Sequence, residues 1–371
     1  MTLKFLIVGS EPKSLINFRG PLIMDLIEKG IQVHVASPHI LNTDTFEKLQ
    51  SLGVLVHQIS LNRTGINPIN DIKTILQLVS VMRKIKPDYF LGYTHKPAIY
   101  GNLASWLSGI PLRFALITGL GYSFLSNKIW LNYVVKSLYK FALKNTHKVI
   151  FQNQDDEELF FKLRILNKKD KKSCMVNGSG VDLDQFKKTS FPKDMSFLLI
   201  ARLLKDKGLI EYFKASTIVK EKYPDIIFSL VGSIDENPSS ISKKELQDKI
   251  DSGHINYYGQ LKDVRPAIAE SSVYVLPSYR EGTPRTVLEA MAMGRPIITT
   301  NAPGCRETVI EGENGYLVPI KCVDSLVDAI LNFIENPKLV DEMGINSRKI
   351  AEQKYDVKKV NKQLLNHMQI K

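Results

Sequence analysis

Short apolar runs alternate along the chain with longer segments in which apolar residues recur at helical spacing. In the first half, the runs at residues 5–8, 32–36, 54–59, 89–92, 113–117 and 148–152 have the length and composition of buried strands. Strands that alternate with helices pair in parallel and are covered on both faces. The pattern therefore predicts an α/β domain built on a parallel sheet.

The same alternation starts again after the Asn-Gly-Ser-Gly loop at 177–180 and a polar stretch at 187–194. Strand-like runs follow at residues 197–200, 226–231, 255–258, 273–277 and 296–300. This pattern predicts a second Rossmann-like domain, with the boundary near residue 190. Open α/β sheets bind ligands at the carboxyl ends of their strands, so we expect a ligand-binding cleft between the two domains.

Composition and charge limit the class of protein. The chain has 371 residues, 44% hydrophobic and 24% charged, which excludes a disordered chain and a small disulfide scaffold. Its net charge of +12 favours an anionic partner, namely nucleic acid, an anionic lipid surface or a phosphorylated substrate. Three scattered cysteines fit neither a zinc motif nor a disulfide framework, so we expect a cytoplasmic protein. No apolar run approaches the roughly 20 residues that span a bilayer, and we expect a soluble or monotopic protein.

One segment of the first half is basic and amphipathic. Residues 126–154 contain no acid, and Lys136, Lys140, Lys144 and Lys148 recur every four positions, which predicts one lysine stripe on a helix. The opposite side is predicted to carry Trp130, Leu131, Val134, Leu138, Phe141 and Ala142. We interpret the stripe as a contact for an anionic membrane, because the nearby aromatic rings also suit an interface. The alternative is a solvated lysine face on a helix that packs on the core.

The most informative stretch for chemistry runs from residue 278 to 300. Glu281 lies in a loop after an apolar strand and Glu289 lies eight positions later in the following helix, so both carboxylates can face one cleft. Between them, Gly282, Thr283 and Pro284 leave backbone N–H groups at the start of the helix, where an anion or a sugar hydroxyl can bind. This chemistry suits a polyhydroxylated, phosphorylated ligand.

The Glu-Gly-Thr-Pro…Glu pattern, followed by Gly-Arg-Pro-Ile-Ile and Gly-Cys-Arg-Glu-Thr-Val, resembles the signature of retaining glycosyltransferase family 4. The resemblance extends upstream to residues 201–208 and downstream to residues 313–318. It implies the α/β GT-B fold, with two Rossmann-like domains that face each other across a cleft. The implied domains are an acceptor-binding domain of residues 1–190, to which a C-terminal helix at 356–371 crosses back, and a nucleotide-sugar-binding domain of residues 191–355.

The resemblance also implies roles on the donor side. Arg202 and Lys207 would bind the donor diphosphate, where fixed cations stabilise the departing charge. Glu281 would lie by the hydroxyls of the transferred sugar, Glu289 would bind the ribose, and His95 completes the catalytic set with Glu281, Arg202 and Lys207. The full donor-binding set is Gly9, Arg202, Lys207, Gly259, Glu281, Gly282, Thr283, Pro284 and Glu289. For Gly9, in the turn after the first strand, a purely structural role is the alternative.

Acceptor-side candidates lie in two loops that follow strands of the first domain, at residues 93–97 and 118–122. His95 could orient a hydroxyl or phosphate, and Lys96 could pair with an acceptor diphosphate. Arg19, Gly119 and Gly121 complete the acceptor-binding set. A structural hydrogen bond is the alternative for His95, and a surface arginine that caps a helix is the alternative for Arg19.

The His-Lys pair, the strand at 113–116, the Gly-Leu-Gly loop and the segment at 235–238 resemble bacterial α-1,3-N-acetylgalactosaminyltransferases of glycan and O-antigen assembly. This resemblance implies a UDP-sugar donor, an undecaprenyl-diphosphate-linked saccharide acceptor and a peripheral position on the inner face of the cytoplasmic membrane. It implies no metal and no cofactor, because the two cations replace a divalent ion. Asp182 and Asp184 have the spacing of a metal-binding pair but lie in the predicted linker. The role of Arg285 stays open.

Two other functions stay open at this point. One is a hexosyltransferase of the same family with a core-oligosaccharide or soluble acceptor. The other is a basic nucleic-acid-binding protein, although the sequence has no RNP element, zinc motif or helix-turn-helix signature, so we expect no nucleic-acid partner.

Overall fold

A computed structural model describes residues 2–62, 67–120, 129–235, 237 and 239–370, with residues 129–131 described by their backbone alone. The chain divides into two compact units, Met1–Ser179 with Val360–Lys371, and Gly180–Lys359. The division lies before residue 190 because Val181 and Phe186 are buried in the core of the second unit.

Within the described part of the first unit, the sheet has seven strands in the order β3-β2-β1-β4-β5-β6-β7. Its strands are β1 Lys4–Val8, β2 Gln32–Ser37, β3 Leu55–Gln58, β4 Tyr89–Tyr93, β5 Leu112–Ile117, β6 Lys148–Phe151 and β7 Ser173–Met175. Its α-helices are α1 Pro12–Asn17, α2 Gly20–Glu28, α3 Asp44–Ser51, α4 Pro68–Ile85, α5 Asn102–Leu107, α6 Ile129–Leu143 and α7 Gln154–Lys162. Each strand pair in this sheet is parallel.

Alternate residues of the first sheet separate its two faces. Phe5 and Ile7 of β1 are buried in one cluster with residues of α1, α2 and α3. Leu6 and Val8 point to the other face, where they pack with Leu78 of α4. Side chains alternate in this way along any strand, and both faces are apolar because helices cover both.

In the second unit, the described residues form a six-stranded parallel sheet in the order β10-β9-β8-β11-β12-β13. Its strands are β8 Ser196–Ile200, β9 Ile227–Val231, β10 Asn256–Tyr257, β11 Val273–Leu276, β12 Ile297–Thr300 and β13 Gly315–Val318. The α-helices from here on are α8 Leu209–Lys222, α9 Lys243–Asp251, α10 Arg265–Ala269, α11 Arg285–Ala292, α12 Val323–Glu335, α13 Lys338–Ile350 and α14 Val357–His367.

The end of the chain belongs to the first unit. Leu364, Leu365, Met368 and Ile370 are buried in the same cluster as Phe5 and Ile7. The return begins at Val360 rather than at residue 356, because Val357 still donates its backbone N–H to the carbonyl of Val181 in the second unit.

The predicted α/β architecture is confirmed, and a strand lies at each of the eleven predicted positions. Two edge strands, β7 and β13, were not predicted. β7 has three residues, all partly exposed, and β13 begins at a glycine, so neither shows the apolar run of a buried strand.

The predicted single stripe of four lysines is wrong. Helix α6 ends at Leu143, so Lys144 lies beyond it, and Lys148 is the first residue of β6. The predicted apolar side is also partly wrong, because Phe141 is exposed whereas Tyr139 is fully buried. In the portion of the chain that the structure describes, we find no helix that is both long and apolar enough to cross a membrane.

Candidate active site

The candidate donor residues lie in loops that follow the strands of the second sheet. Arg202 and Lys207 follow β8, Gly232 follows β9, Gly259 follows β10 and Glu281 follows β11. Because parallel strands end at the same edge, these loops gather at the carboxyl edge of the sheet, where α/β proteins bind ligands.

Close backbone packing joins the loop after β8 to the loop after β11. Gly208 has a φ of +75°, and a Cβ there would overlap the carbonyl oxygen of Pro277. Next to this contact, the backbone N–H of Tyr279 donates to the carbonyl of Asp206 at 2.9 Å. The glycine thus lets the two loops touch, which brings Lys207 to Glu281.

Lys207 and Glu281 form the centre of the site. The Lys207 Nζ lies 2.5 Å from Glu281 Oε1, and the Ser278 hydroxyl donates to the same oxygen at 2.8 Å. Both charged side chains are 16% exposed, so a ligand at this edge can reach them. The predicted donor-binding lysine and the predicted catalytic carboxylate are therefore brought together.

Residues that the sequence analysis did not assign support Glu281 from behind. The backbone N–H of Glu281 donates to the carbonyl of Pro303 at 2.9 Å. Gly304 has a φ of +81°, and a Cβ there would overlap the Glu281 carbonyl. The Thr300 hydroxyl donates to the carbonyl of Ser278. The Pro-Gly dipeptide after β12 was the signal in the sequence for this supporting turn.

Arg202 lies in the same edge region, held by another close approach of two loops. Gly232 has a φ of +154°, and a Cβ there would overlap the carbonyl oxygen of Ala201. The Arg202 guanidinium, 44% exposed, contacts Asp235 at 2.8 Å. The N–H of Gly232 donates to the carbonyl of Gly259 at 2.8 Å, which joins the predicted donor-binding Gly259 to the Arg202 region.

Glu289 is buried on α11, where Arg285 holds it. Arg285 Nε donates to Glu289 Oε1 at 2.8 Å. Burial raises the pKa of Glu289, and the positive charge of Arg285 opposes that rise. Burial raises the pKa of the Tyr274 hydroxyl, and the negative charges of Glu289 and Glu281 raise it further.

The segment between the two glutamates connects the loop to α11. Pro284 is the residue before the first turn of α11, with extended backbone angles. Gly282 and Pro284 are buried and Thr283 is partly exposed. The Gly-Thr-Pro segment thus lies between Glu281 and the N-terminus of α11, as the sequence predicted.

In the first unit, His95 and Lys96 each have a partner inside the fold. His95 Nδ1 lies 2.9 Å from the Tyr139 hydroxyl, and burial lowers the pKa of His95 to about 4, so the imidazole is neutral at pH 7. Lys96 Nζ contacts Asp71 at 2.8 Å and lies over the Tyr100 ring. The predicted pair is adjacent at the end of β4, where the neutral His95 has a hydrogen-bond partner and the charged Lys96 has a carboxylate partner.

Thr94, just before this pair, has a φ of +68°, which is strained for a β-branched residue. Its hydroxyl lies 3.0 Å from that of Ser10. Strained residues concentrate at functional sites.

Arg19 is not a surface residue. Its side chain is buried, lies over the Tyr93 ring and donates to the Ser179 hydroxyl at 3.2 Å. Arg19 is the N-cap residue of α2, without a side-chain capping bond, but the surface position in that alternative is wrong because its aromatic and hydroxyl partners hold it inside the first unit. The Gly9 N–H donates to the carbonyl of Ala36, and a Cβ at Gly9 would overlap the Tyr93 hydroxyl, so packing alone requires this glycine.

Of the two predicted acceptor glycines, one is described. Gly119 follows β5 and has a φ of +108°. Gly121 lies outside the described residues.

A cavity of about 760 Å³ opens at the carboxyl ends of β1, β2 and β3. It is lined by Ser10, Glu11, Pro12, Lys13, Pro38, His39, Thr43, Asp44, Thr45, Leu61 and Asn62. The sequence analysis assigned none of these residues, although they follow strands at the edge where ligands bind. The mixture of hydroxyl, amide and charged side chains suits a polar ligand.

Among the residues that the structure describes, no three His, Cys, Asp or Glu side chains form a cluster that could hold a metal ion. The Asp182 carboxylate accepts the backbone N–H groups of Asp184 and Gln185, and Asp184 contacts Lys358 at 3.0 Å. Both aspartates therefore have structural partners in the second unit.

Comparison with known families identifies both halves. Residues 181–350 match the family described as glycosyl transferases group 1, and residues 17–153 match the family described as glycosyl transferase 4-like. The first match includes each predicted donor residue of the second unit.

Individual relatives cover most of the chain. An N,N'-diacetylbacillosaminyl-diphospho-undecaprenol alpha-1,3-N-acetylgalactosaminyltransferase from Campylobacter jejuni is 32% identical over 92% of this chain and 92% of its own length. A UDP-Gal:alpha-D-GlcNAc-diphosphoundecaprenol alpha-1,3-galactosyltransferase from Escherichia coli is 27% identical over 80% of this chain and 79% of its own.

Solved structures share the fold. Anabaena HepE, determined with UDP and glucose, has a TM-score of 0.80 and 18% identity and covers 99% of both chains. The fold is therefore GT-B, and the resemblance noted from the motifs is confirmed. With a relative 32% identical over nearly its whole length, the chain belongs to the glycosyl transferases group 1 family and is a glycosyltransferase.

Proposed function

We propose that this enzyme transfers a sugar, with N-acetylgalactosamine favoured, from UDP to a saccharide carried on undecaprenyl diphosphate, with retention of the anomeric configuration. The observation that carries the proposal is the Lys207–Glu281 pair at the carboxyl edge of the second sheet, with Arg202 in the neighbouring loop. The names of the two relatives support the choice of donor and acceptor, because both describe transfer to saccharides on diphospho-undecaprenol.

Arg202 and Lys207 would bind the two phosphates of the donor. As the bond between the sugar and the diphosphate breaks, negative charge grows on the leaving group. Fixed cations stabilise that charge more in the transition state than in the ground state. In this proposal the two side chains do the work of a metal ion, and the enzyme needs no cofactor.

Glu281 and Glu289 would hold the donor on either side of the diphosphate. Glu281 is anchored through one oxygen by Lys207 and Ser278, so its carboxylate is oriented toward the hydroxyls of the transferred sugar. Glu289 accepts Arg285 through Oε1, and its other oxygen would accept the ribose hydroxyls. Arg285 is then a positioning residue for Glu289.

The reaction itself would need no protein base. The acceptor hydroxyl attacks the anomeric carbon on the face from which the diphosphate departs, and its proton passes to the leaving phosphate oxygen. The sugar–phosphate bond breaks and the new glycosidic bond forms on the same face, which retains the configuration. Neutral His95 would orient a hydroxyl rather than take a proton.

The first unit would bind the acceptor. The cavity at the ends of β1, β2 and β3 offers hydroxyl, amide and charged side chains that a saccharide could bind, and its Lys13 could meet a phosphate. Because such an acceptor sits in a membrane, we propose that the enzyme works as a peripheral protein on its inner face.

The test is transfer from a panel of UDP-sugars to synthetic polyprenyl-diphosphate saccharides in detergent, with and without EDTA. We expect UDP-N-acetylgalactosamine to be used best, the product to be an α-glycoside by NMR, and EDTA to leave the rate unchanged. Glu281→Gln serves as the inactive control. Transfer to free oligosaccharides at the same rate would overturn the lipid-linked acceptor, and a β-linked product would overturn retention.

A further inference from the structure

The exposed apolar residues of the described chain are unevenly distributed. Every large hydrophobic side chain that is more than half exposed lies on helix α4, α5 or α6, with exposures from 52 to 79%. These side chains are Ile69, Ile72 and Leu76 of α4, Leu107 of α5, and Tyr133 and Phe141 of α6. The outer face of a helix in a globular protein is normally polar, so this concentration needs a cause.

The three helices form one layer. Leu78 of α4 and Ala104 of α5 pack in the cluster that contains Val8 of β1. Tyr139 of α6 packs on Ala115 of β5. Val8 and Ala115 are both in register with Gly92 of β4, and residues in register point to the same face of a sheet. The three helices therefore cover the same face of the first sheet, and their outer faces point away from it on that side.

Aromatic rings continue the apolar surface from α5 to α6. The Trp106 and Phe141 rings meet edge to face, with their centroids 6.3 Å apart. Both rings are also exposed to solvent. Tryptophan and other rings with one exposed side are typical of protein surfaces that contact a bilayer interface.

The charges of this layer have one sign. Helices α5 and α6 contain no acid, and the one acid of α4, Asp71, is buried and paired with Lys96. The exposed or partly exposed cations are Lys73, Arg83, Lys84, Lys136 and Lys140. The next helix of the layer, α7, begins with Asp155, Asp156 and Glu157, so the basic surface ends there.

We infer that the outer faces of α4, α5 and α6, called here the α4–α6 surface, dock on an anionic lipid bilayer. Its apolar side chains enter the headgroup region and its lysines and arginines meet lipid phosphates. The inference rests on the proposed function, because an acceptor held in a membrane requires the enzyme to reach that membrane. It differs from the predicted lysine contact in two ways. Apolar side chains insert in addition to the charge attraction, and helices α4 and α5 take part as well as α6.

Charge favours a bilayer over a protein partner as the occupant. Lysine is depleted in protein–protein interfaces, whereas lysine and aromatic residues together are typical of helices that lie in a membrane interface. A layer that carries five cations without an exposed acid would also repel a second copy of itself.

Intrinsic fluorescence tests insertion directly. The chain has two tryptophans, so Trp130→Phe leaves Trp106 as the sole reporter. On vesicles with 30 mol% phosphatidylglycerol we expect a blue shift of Trp106 emission and quenching by lipids brominated in the acyl chain. Pure phosphatidylcholine vesicles should give a much smaller change. Unchanged emission on anionic vesicles, in a protein that sediments with them, would overturn insertion by this surface.

Paired variants test which residues bind. We expect Ile72→Ser with Leu76→Ser to lower vesicle partitioning at least about tenfold, the loss expected for apolar burial. The control changes Ile218 and Ile345 to serine, two exposed residues of α8 and α13 in the second unit. Lys136→Gln with Lys140→Gln should cost about fivefold per lysine, and Lys243→Gln with Lys244→Gln is the matched control on α9. Equal partitioning of test and control variants would overturn the inference.

Two further measurements separate this inference from the proposed function. In detergent, with a short-chain acceptor, the surface variants should transfer sugar at the wild-type rate. If wild type transfers to the lipid-linked acceptor but does not bind vesicles, the surface is wrong and the function stands. If wild type binds vesicles through this surface but uses only soluble acceptors, the surface stands and the function is wrong.

Sedimentation velocity tests a second copy of the chain as the occupant of this surface. If the apolar variants convert a dimer to a monomer and vesicle binding stays intact, the surface belongs to a second copy and the inference is overturned.

Discussion

Both cations of the proposed diphosphate site already have carboxylate partners. Lys207 pairs with Glu281, and Arg202 pairs with Asp235. The Arg202 pair is open to solvent, where an ion pair is worth about 0–1 kcal/mol, so a doubly charged diphosphate can displace or share it at small cost. The paired carboxylates keep the cations in place before the donor arrives, which reduces the ordering that donor binding requires.

Lys207→Met is expected to lower kcat by about 100- to 1,000-fold, the usual effect of removing one group that stabilises charge in a transition state. The measurement is the rate of transfer at saturating UDP-sugar. Lys205→Met is the control, because Lys205 is exposed and lies two positions away in the same loop. An equal loss in both variants would show that general loop charge, rather than Lys207, matters.

Arg285→Gln should weaken binding of the UDP-sugar, with KM raised about 10- to 100-fold, since one lost charge-assisted hydrogen bond is worth about 1.5–3 kcal/mol. Without the positive charge of Arg285, nothing from that side chain opposes the effect of burial, so the pKa of Glu289 rises further. The KM of the variant should therefore fall as pH increases and the carboxylate ionises. Arg285→Lys keeps the charge and should restore part of the affinity. A KM equal to that of wild type at every pH would show that Arg285 does not position Glu289.

His95 should affect stability at low pH. Burial lowers its pKa from 6.5 to about 4, so below pH 6.5 the unfolded chain binds a proton that the native chain does not bind until about pH 4. Stability is therefore lost as pH falls through this window, by at most about 1.4 kcal/mol per pH unit. Denaturant unfolding of wild type and His95→Gln should show the difference between their free energies of unfolding shrinking from pH 7 to pH 5. Parallel pH dependence of the two proteins would contradict a neutral buried His95.

The accuracy of the sequence analysis differed between the two units for a physical reason. Lys207 and Glu281 are carried by loop motifs whose residue types reflect a phosphate-binding chemistry, so their neighbourhood was predictable. Arg19 depends on Tyr93 and Ser179, and Lys96 depends on Asp71. These partners are distant in sequence and come from no motif, so the pairing of the two cations inside the fold could not be predicted from the local sequence pattern.

At the scale of elements, the site depends on loops that touch through glycines. Gly208 approaches Pro277, Gly232 approaches Ala201, and Gly304 approaches Glu281. In each case a side chain would occupy the space of a neighbouring carbonyl. The loops are therefore fixed to one another by contact between backbones, which positions Arg202 and Glu281 with little freedom.

Gly208→Ala should separate this effect from simple backbone strain. Gly208 and Gly253 both have positive φ, at +75° and +69°, but only Gly208 is crowded, and nothing lies within 4 Å of a Cβ at Gly253. We expect both alanine variants to lose about 1 kcal/mol of stability from the unfavourable backbone. Only Gly208→Ala should lose transfer activity, by tenfold or more, as its loop moves away from Glu281. Equal activity of the two variants would contradict the role of this contact.

Buried strands were predictable because continuous apolar runs are specific to them, whereas helix ends were not. Lysines spaced by four continue past Leu143, where α6 stops, into β6. The lysine spacing by itself carries no stop signal, and the one signal that follows, Asn145, was not used in the prediction. The short β7 was missed because an edge strand needs few apolar residues.

At the scale of the whole molecule, the first unit is built from two separate parts of the chain. Residues Val360–Lys371 complete a core otherwise formed by Met1–Ser179. Leu364 and Met368 are almost fully buried in that core. Residues 360–371 therefore contribute to the stability of the first unit, in line with the predicted return of the C-terminal helix to that domain.

Leu364→Ala should destabilise the first unit by about 2–5 kcal/mol, the usual cost of a large-to-small change in a core. Hydrogen exchange of the β1 and β4 amides reports this loss, and the amides of β8 and β11 report the second unit. Lys362→Ala, an exposed change on the same helix, is the control. Loss of protection in the second unit alone would contradict the assignment of this helix to the first.

The divided first unit has a consequence for synthesis on the ribosome. Domains generally fold as units while the chain emerges, N-terminal first. Here the amino-terminal unit lacks its closing helix until residues 360–371 are translated, which is after the whole of the second unit, Gly180–Lys359, has been made. The nascent chain must therefore keep an unfinished apolar surface near Phe5 and Ile7 until residues 360–371 leave the exit tunnel. Chaperone dependence during translation should accordingly be greatest for this amino-terminal half.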